Sequence, residues 1–134
     1  MKELNAEGIL KLKNLTIPKP GFSSQRSLGE FFDLYLICEV SAKVLVAYYS
    51  PKNKKRVLRI DNIKSAIRVF FPNDIERIPV NEIFQSGNGT RNNKSCRQLR
   101  NSYFHELSEK DRIEIEERII VLKSYMEIWI NLFS

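Results

Sequence analysis

Residues 28–49, LGEFFDLYLICEVSAKVLVAYY, restrict the fold of this chain more than any other stretch. Apolar side chains fall on nearly every side of a helix drawn through them, interrupted by Glu30, Asp33, Glu39 and Lys43. Those charges argue against a membrane span. They leave a helix at the centre of a domain, or one covered by a second copy of the chain. Ser27-Leu28-Gly29-Glu30 has the S-x-x-E pattern of a capping box, in which each side chain satisfies one exposed backbone N–H. A helix is therefore predicted from about Ser27 to about Ser50, where Pro51 stops it.

The rest of the sequence repeats the helical period. Val57, Ile60, Ile63, Ile67 and Phe70 recur at three- and four-residue steps, predicting a second helix over 53–71 that Pro72 ends. IPVNEIFQ reads as one short helix, and SGNGTRNN as a loop. A third main helix is expected from about Asn93 to Leu107. Ser108 looks like the N-cap of the last one, with acids in its first turn where the helix dipole favours them. Ile115, Ile119, Leu122, Met126, Trp129 and Phe133 form the apolar stripe of that last helix. The expected fold is all-α: an up-and-down helical bundle of four main helices plus a short extra helix over 26–134. Residues 1–25 read as an irregular N-terminal arm. Within it LKLKNL suits a short strand or an extended segment, and IPKPGF breaks regular structure.

The chain has 134 residues, 43% hydrophobic and 28% charged, which suits one domain with a real core. Its net charge of +6 suits a polyanionic partner, or serves solubility alone. Cys38 and Cys96 are too few for a disulfide framework. With a single histidine they make no zinc set, so neither metal nor cofactor is expected. The start MKELNAEG lacks an apolar signal-peptide core, and the expected compartment is the cytoplasm, with no membrane partner. SGNGT lacks the lysine and spacing of a phosphate-binding loop, and no serine sits in a nucleophile elbow.

The single histidine, His105, stands in LRNSYFHEL behind Arg100 and Asn101. These types suit RNA cleavage without a metal. The ribose 2′-OH attacks the neighbouring phosphorus while one group takes a proton and another gives one, and an imidazole can do either near neutral pH. A guanidinium can hold the negative charge gathered on the phosphorane. Asn101 and His105 are four apart and share a helix face, whereas Arg100 lies roughly 140° around the axis from His105. Acid and base are both needed, but one chain carries one histidine. A two-fold dimer would supply two. Arg91, Lys94 and Arg97 lead into the motif as candidate RNA contacts. Tyr103 is either a stacking platform or core, and the basic run Lys52–Arg59 is either a phosphate track or a solvated face.

Arg100-Asn101-Ser102-Tyr103-Phe104-His105 resembles the R-x4-6-H signature of the HEPN superfamily, with the polar residue that commonly follows the arginine. Helix order over 28–133 is similar too. The resemblance implies a metal-independent endoribonuclease, acting as a homodimer with its site at the interface. It also implies a toxin or phage-defence role, with an antitoxin protein such as a nucleotidyltransferase as possible partner. It assigns Arg100, Asn101 and His105 to the catalytic site, supported by a polar residue from an earlier helix, for which Asp33, Glu39 and Lys43 are the candidates. Some members keep this fold as non-catalytic binding modules for RNA or protein. Other readings make His105 a surface or capping histidine, make Arg100 the surface ion-pair partner of Glu106 or a nearby acid, or make the chain a DNA-binding regulator. The last lacks a clear helix-turn-helix pattern.

Overall fold

The computed structural model describes residues 26–50, 58–87 and 94–134. Among them five helices and no strands are formed: α1 (Arg26–Tyr49), α2 (Ile60–Phe70), α3 (Val80–Phe84), α4 (Cys96–Glu106) and α5 (Glu109–Asn131). The arm over 1–25, most of the basic run before Arg59, and Arg91 lie outside the described residues. None of the described helices is long and apolar enough to cross a membrane.

The two long helices, α1 and α5, make the main contact of the bundle. On α1, Leu28, Phe31, Tyr35, Cys38, Ala42 and Leu45 alternate three- and four-residue steps and are buried. That spacing keeps one face turned to a partner helix. On α5, Ile115, Leu122, Met126 and Trp129 are buried in the same rhythm, with Phe133 just past its end, as the sequence stripe predicts. Ser41 and Ala42 are small, so the α5 side chains approach α1 closely there. Trp129 Nε1 donates to Ser41 Oγ at 2.8 Å, and Ser41 Oγ in turn donates toward the carbonyls of Ile37 and Cys38. Helices α2, α3 and α4 add Ile63, Ile67, Ile83, Phe84, Cys96 and Leu99 to the same core. Cys96 is wholly buried, and loss of hydration pushes its thiol up to about 12. Both cysteines are free thiols, and both act as small core residues.

Three boundaries differ from the sequence reading. Ser27 lies inside α1, so it caps nothing; Glu30, the other half of the expected capping box, pairs with Lys123 of α5 instead. Helix α2 begins at Ile60 rather than near Asn53, with Arg59 extended before it. The reason is tertiary. Leu58 is buried, and its carbonyl accepts from Arg97 Nη1 at 2.6 Å, which pins the chain in an extended entry. Helix α4 begins at Cys96, not near Asn93. Ser95 Oγ accepts from the Gln98 N–H while Gln98 Oε1 accepts from the Ser95 N–H, a complete capping box. The N-cap of α5 is Ser108, as expected, its hydroxyl accepting from the Asp111 N–H.

Candidate functional site

Helix α4 carries the motif with its two halves facing different ways. Asn101 and His105 line an open cleft of about 440 Å³ together with Lys94, Gln98, Ser102 and Glu106. Ser86 and Gly87 form the opposite rim. Gly87 has φ +90°, a backbone state that glycine adopts without strain. Gln98 Nε2 donates to the carbonyls of Ser86 and Gly87 and so holds that turn against α4. His105 is exposed at the cleft mouth in the last turn of α4.

Arg100 does not line this cleft. Its guanidinium turns toward α1, where Nη2 lies 3.9 Å from Glu39 Oε2. The Phe104 and Tyr35 ring centroids are 5.0 and 5.9 Å from its guanidinium carbon. Nη1 donates to Asn101 Oδ1 at 3.0 Å, so the asparagine links the arginine side of α4 to the cleft side. Of the three polar candidates on α1, Glu39 is the one that packing brings to Arg100, so the ion pair expected with Glu106 or a nearby acid is made with a nearby acid and not with Glu106. Tyr35 is buried and its hydroxyl has no partner among the described residues. Burial first, then the nearby Glu39 charge, pushes that phenol above its ordinary range.

The arginine side is also apolar. Phe104 stacks on Phe32 of α1 at 4.9 Å. Leu36 and Val40 continue from Phe32 along α1 at four-residue steps and are exposed. Phe104 is 54% exposed and Leu107 72%. Leu107 holds φ 49°, the left-handed cap of α4, which a β-carbon makes costly.

The predicted RNA contacts separate. Arg97 works inward, bonding the carbonyls of Leu58 and, at 3.4 Å, Phe84. Tyr103 is half-buried against the core, its ring 5.4 Å from Phe32. Lys94 does reach the cleft, but its ammonium is bound to Asp111 at 2.8 Å. Asp111 is 2% exposed and also accepts from Ser102 Oγ at 2.5 Å. This Lys94–Asp111–Ser102 cluster ties the α4–α5 corner to the cleft, and sequence reading missed it. Its only trace was an acid three residues after an N-cap serine, which reads as an ordinary dipole partner. On α5 itself, Arg118 pairs with Glu114 at 2.6 Å and Arg112 with Glu109 and Glu116, so the acidic stretch there is partly neutralised.

Asp111→Ala should cost about 2 kcal/mol, because Lys94 and Ser102 lose their shared acceptor while Lys94 remains able to turn to water. Urea unfolding measures it. A loss below about 0.5 kcal/mol would mean the cluster is not held in solution.

Among the described residues, no group of three or more His, Cys, Asp or Glu is placed to hold a metal ion. No protein-family model matches the chain, and the comparisons with curated proteins and with solved structures gave no match either.

Proposed function

We propose that this protein is a metal-independent endoribonuclease of the HEPN type. It cleaves RNA by 2′-OH attack, works as a homodimer in the cytoplasm, and serves as a toxin or defence effector, with an antitoxin protein as a further partner. The four-main-helix, up-and-down HEPN topology belongs to the same reading. The observation that carries it is the arrangement of α4. His105 and Asn101 open onto a cleft that Lys94 also lines, while Arg100 sits beside Glu39 in a strip of exposed apolar side chains. One copy does not turn Arg100 and His105 to a common surface. Two copies joined through Leu36, Val40, Phe104 and Leu107 would bury that strip and collect two arginines and two histidines at one seam.

In this mechanism one histidine takes the 2′-OH proton and the other protonates the departing 5′-oxygen. The products are a 2′,3′-cyclic phosphate and a 5′-hydroxyl. Arg100 stabilises the phosphorane, and Asn101 aligns the guanidinium with the imidazole.

The second reading is a non-catalytic helical module that binds RNA or protein. The engagement of Arg100 by Glu39, Asn101 and two rings favours it, because a guanidinium so occupied already has a structural use.

Purified protein incubated with end-labelled RNA in EDTA, with product ends identified and mass measured by sedimentation, separates the two readings. Chelator-resistant cleavage to cyclic phosphate by a dimer is the expected result. A folded monomer that binds RNA without cutting it would support the binding module instead.

A further inference from the structure

Three open grooves adjoin on one side of the molecule. The first, about 460 Å³, lies between α2 and the turn before α3, and is lined by Lys64, Arg68, Arg77, Glu76, Asn81 and Glu82 among others. The second, about 390 Å³, runs from Asn81, Glu82 and Gln85 to Lys94, Gln98 and Tyr125. The third is the His105 cleft, which shares Lys94 and Gln98 with the second. Asn81 and Glu82 border both the first and the second groove, so the three adjoin in a run from the exposed face of α2, past α3, to the motif.

The charges along this run are ordered. At the far end Lys64 and Arg68 are four apart on α2 and share a face, and neither forms a salt bridge among the described residues. Arg77 stands beside them, paired with Asp74 at 2.7 Å. Lys94 marks the near end, its ammonium held by Asp111 at 2.8 Å. The middle carries amides (Asn81, Gln85, Gln98), the half-buried ring of Tyr125, the carboxylate of Glu82, and Arg118, whose guanidinium is already held by Glu114 at 2.6 Å and by the Lys94 carbonyl at 2.9 Å. Glu76 lines the far groove as well. A carboxylate at Glu82 repels a phosphate, but it accepts from the exocyclic amine of a base. Two cations at the far end, with amides, a ring and a carboxylate between them and the cleft, suit a single strand whose bases are splayed toward the protein in the middle.

We infer that the substrate is an extended single-stranded RNA. It runs from the His105 cleft over α3, turns base edges to Glu82 and the neighbouring amides, and ends with its phosphates on Lys64 and Arg68. This rests on the ribonuclease reading above and gives that site a distal binding arm. Short oligonucleotides fill only the cleft; longer ones gain the distal contacts.

The test measures binding of a 5-mer and a 20-mer of unstructured RNA to His105→Ala protein, with and without Lys64→Ala/Arg68→Ala. The preference of the His105→Ala protein for the long strand should fall about tenfold when Lys64→Ala/Arg68→Ala is added, and its salt slope by about 1.4, for two lost phosphate contacts on a single strand. Glu82→Gln should weaken discrimination against a uridine 20-mer relative to a cytidine 20-mer, because uracil has no exocyclic amine. Equal affinity for short and long RNA, or a double variant with an unchanged length preference and salt slope, overturns the distal arm. An unchanged base preference in Glu82→Gln overturns the part assigned to Glu82. If wild type cuts no RNA while the length and salt effects appear, the fault lies with the catalytic reading and not with the groove.

Discussion

His105→Ala should lower RNA cleavage by about 10²–10⁴-fold while leaving the fold intact. The fold should survive because the imidazole is exposed and makes no hydrogen bond to another described residue. A surface substitution of that kind changes stability by about 0.5 kcal/mol or less. Cleavage should collapse because the chain has a single histidine, so the variant dimer loses its proton acceptor and its proton donor together. The two losses will not multiply, since groups that act as one unit are not additive. Arg100→Lys is the informative companion. It keeps the charge but removes the planar fork and the packing between Phe104 and Tyr35, so it should also lose most activity. Initial rates on one RNA, with circular dichroism of each variant, decide the matter. A His105→Ala protein that cuts like wild type removes histidine from the mechanism.

Trp129→Ala should destabilise the protein by about 3–5 kcal/mol, the range for emptying a large buried aromatic site. Trp129 is fully buried, with edge contacts to Phe84 at 4.9 Å and Phe133 at 5.7 Å. It also fills the acceptor side of Ser41 Oγ, which would be left bare inside the α1–α5 contact. A domain of this size is stable by about 5–15 kcal/mol in total, so the loss is a large fraction of it. Trp129→Phe keeps most of the volume and removes the N–H, and should cost about 1–2 kcal/mol. Guanidinium unfolding of both variants measures the difference. An alanine variant that loses less than about 1 kcal/mol would mean that α5 does not pack on α1 as described.

The helices were legible because their information is local. Three- and four-residue spacing of apolar side chains marked the buried faces of α2 and α5, the nearly all-round apolar surface of α1 marked it only as a central helix, and Ser108 marked the start of α5. Local signals misled where a distant group overrode them. The stripe through Val57 and Ile60 continued the α2 pattern backward, but Arg97 holds the Leu58 carbonyl and keeps that entry extended. The S-x-x-E pattern at Ser27 resembled a cap, yet the helix already includes that serine.

By itself, the sequence determined the approximate position of each described helix, which faces α2 and α5 bury, and that Arg100, Asn101 and His105 share one helix. Those follow from side-chain chemistry and the 3.6-residue turn. Only the tertiary structure decided that Glu39, rather than Asp33 or Lys43, meets Arg100. It also decided that Arg97 is turned inward and that Asp111 is buried between Lys94 and Ser102. Each of those pairings joins residues on different elements. Their partners are set by how helices cross and rotate on one another, and sequence spacing carries no record of that.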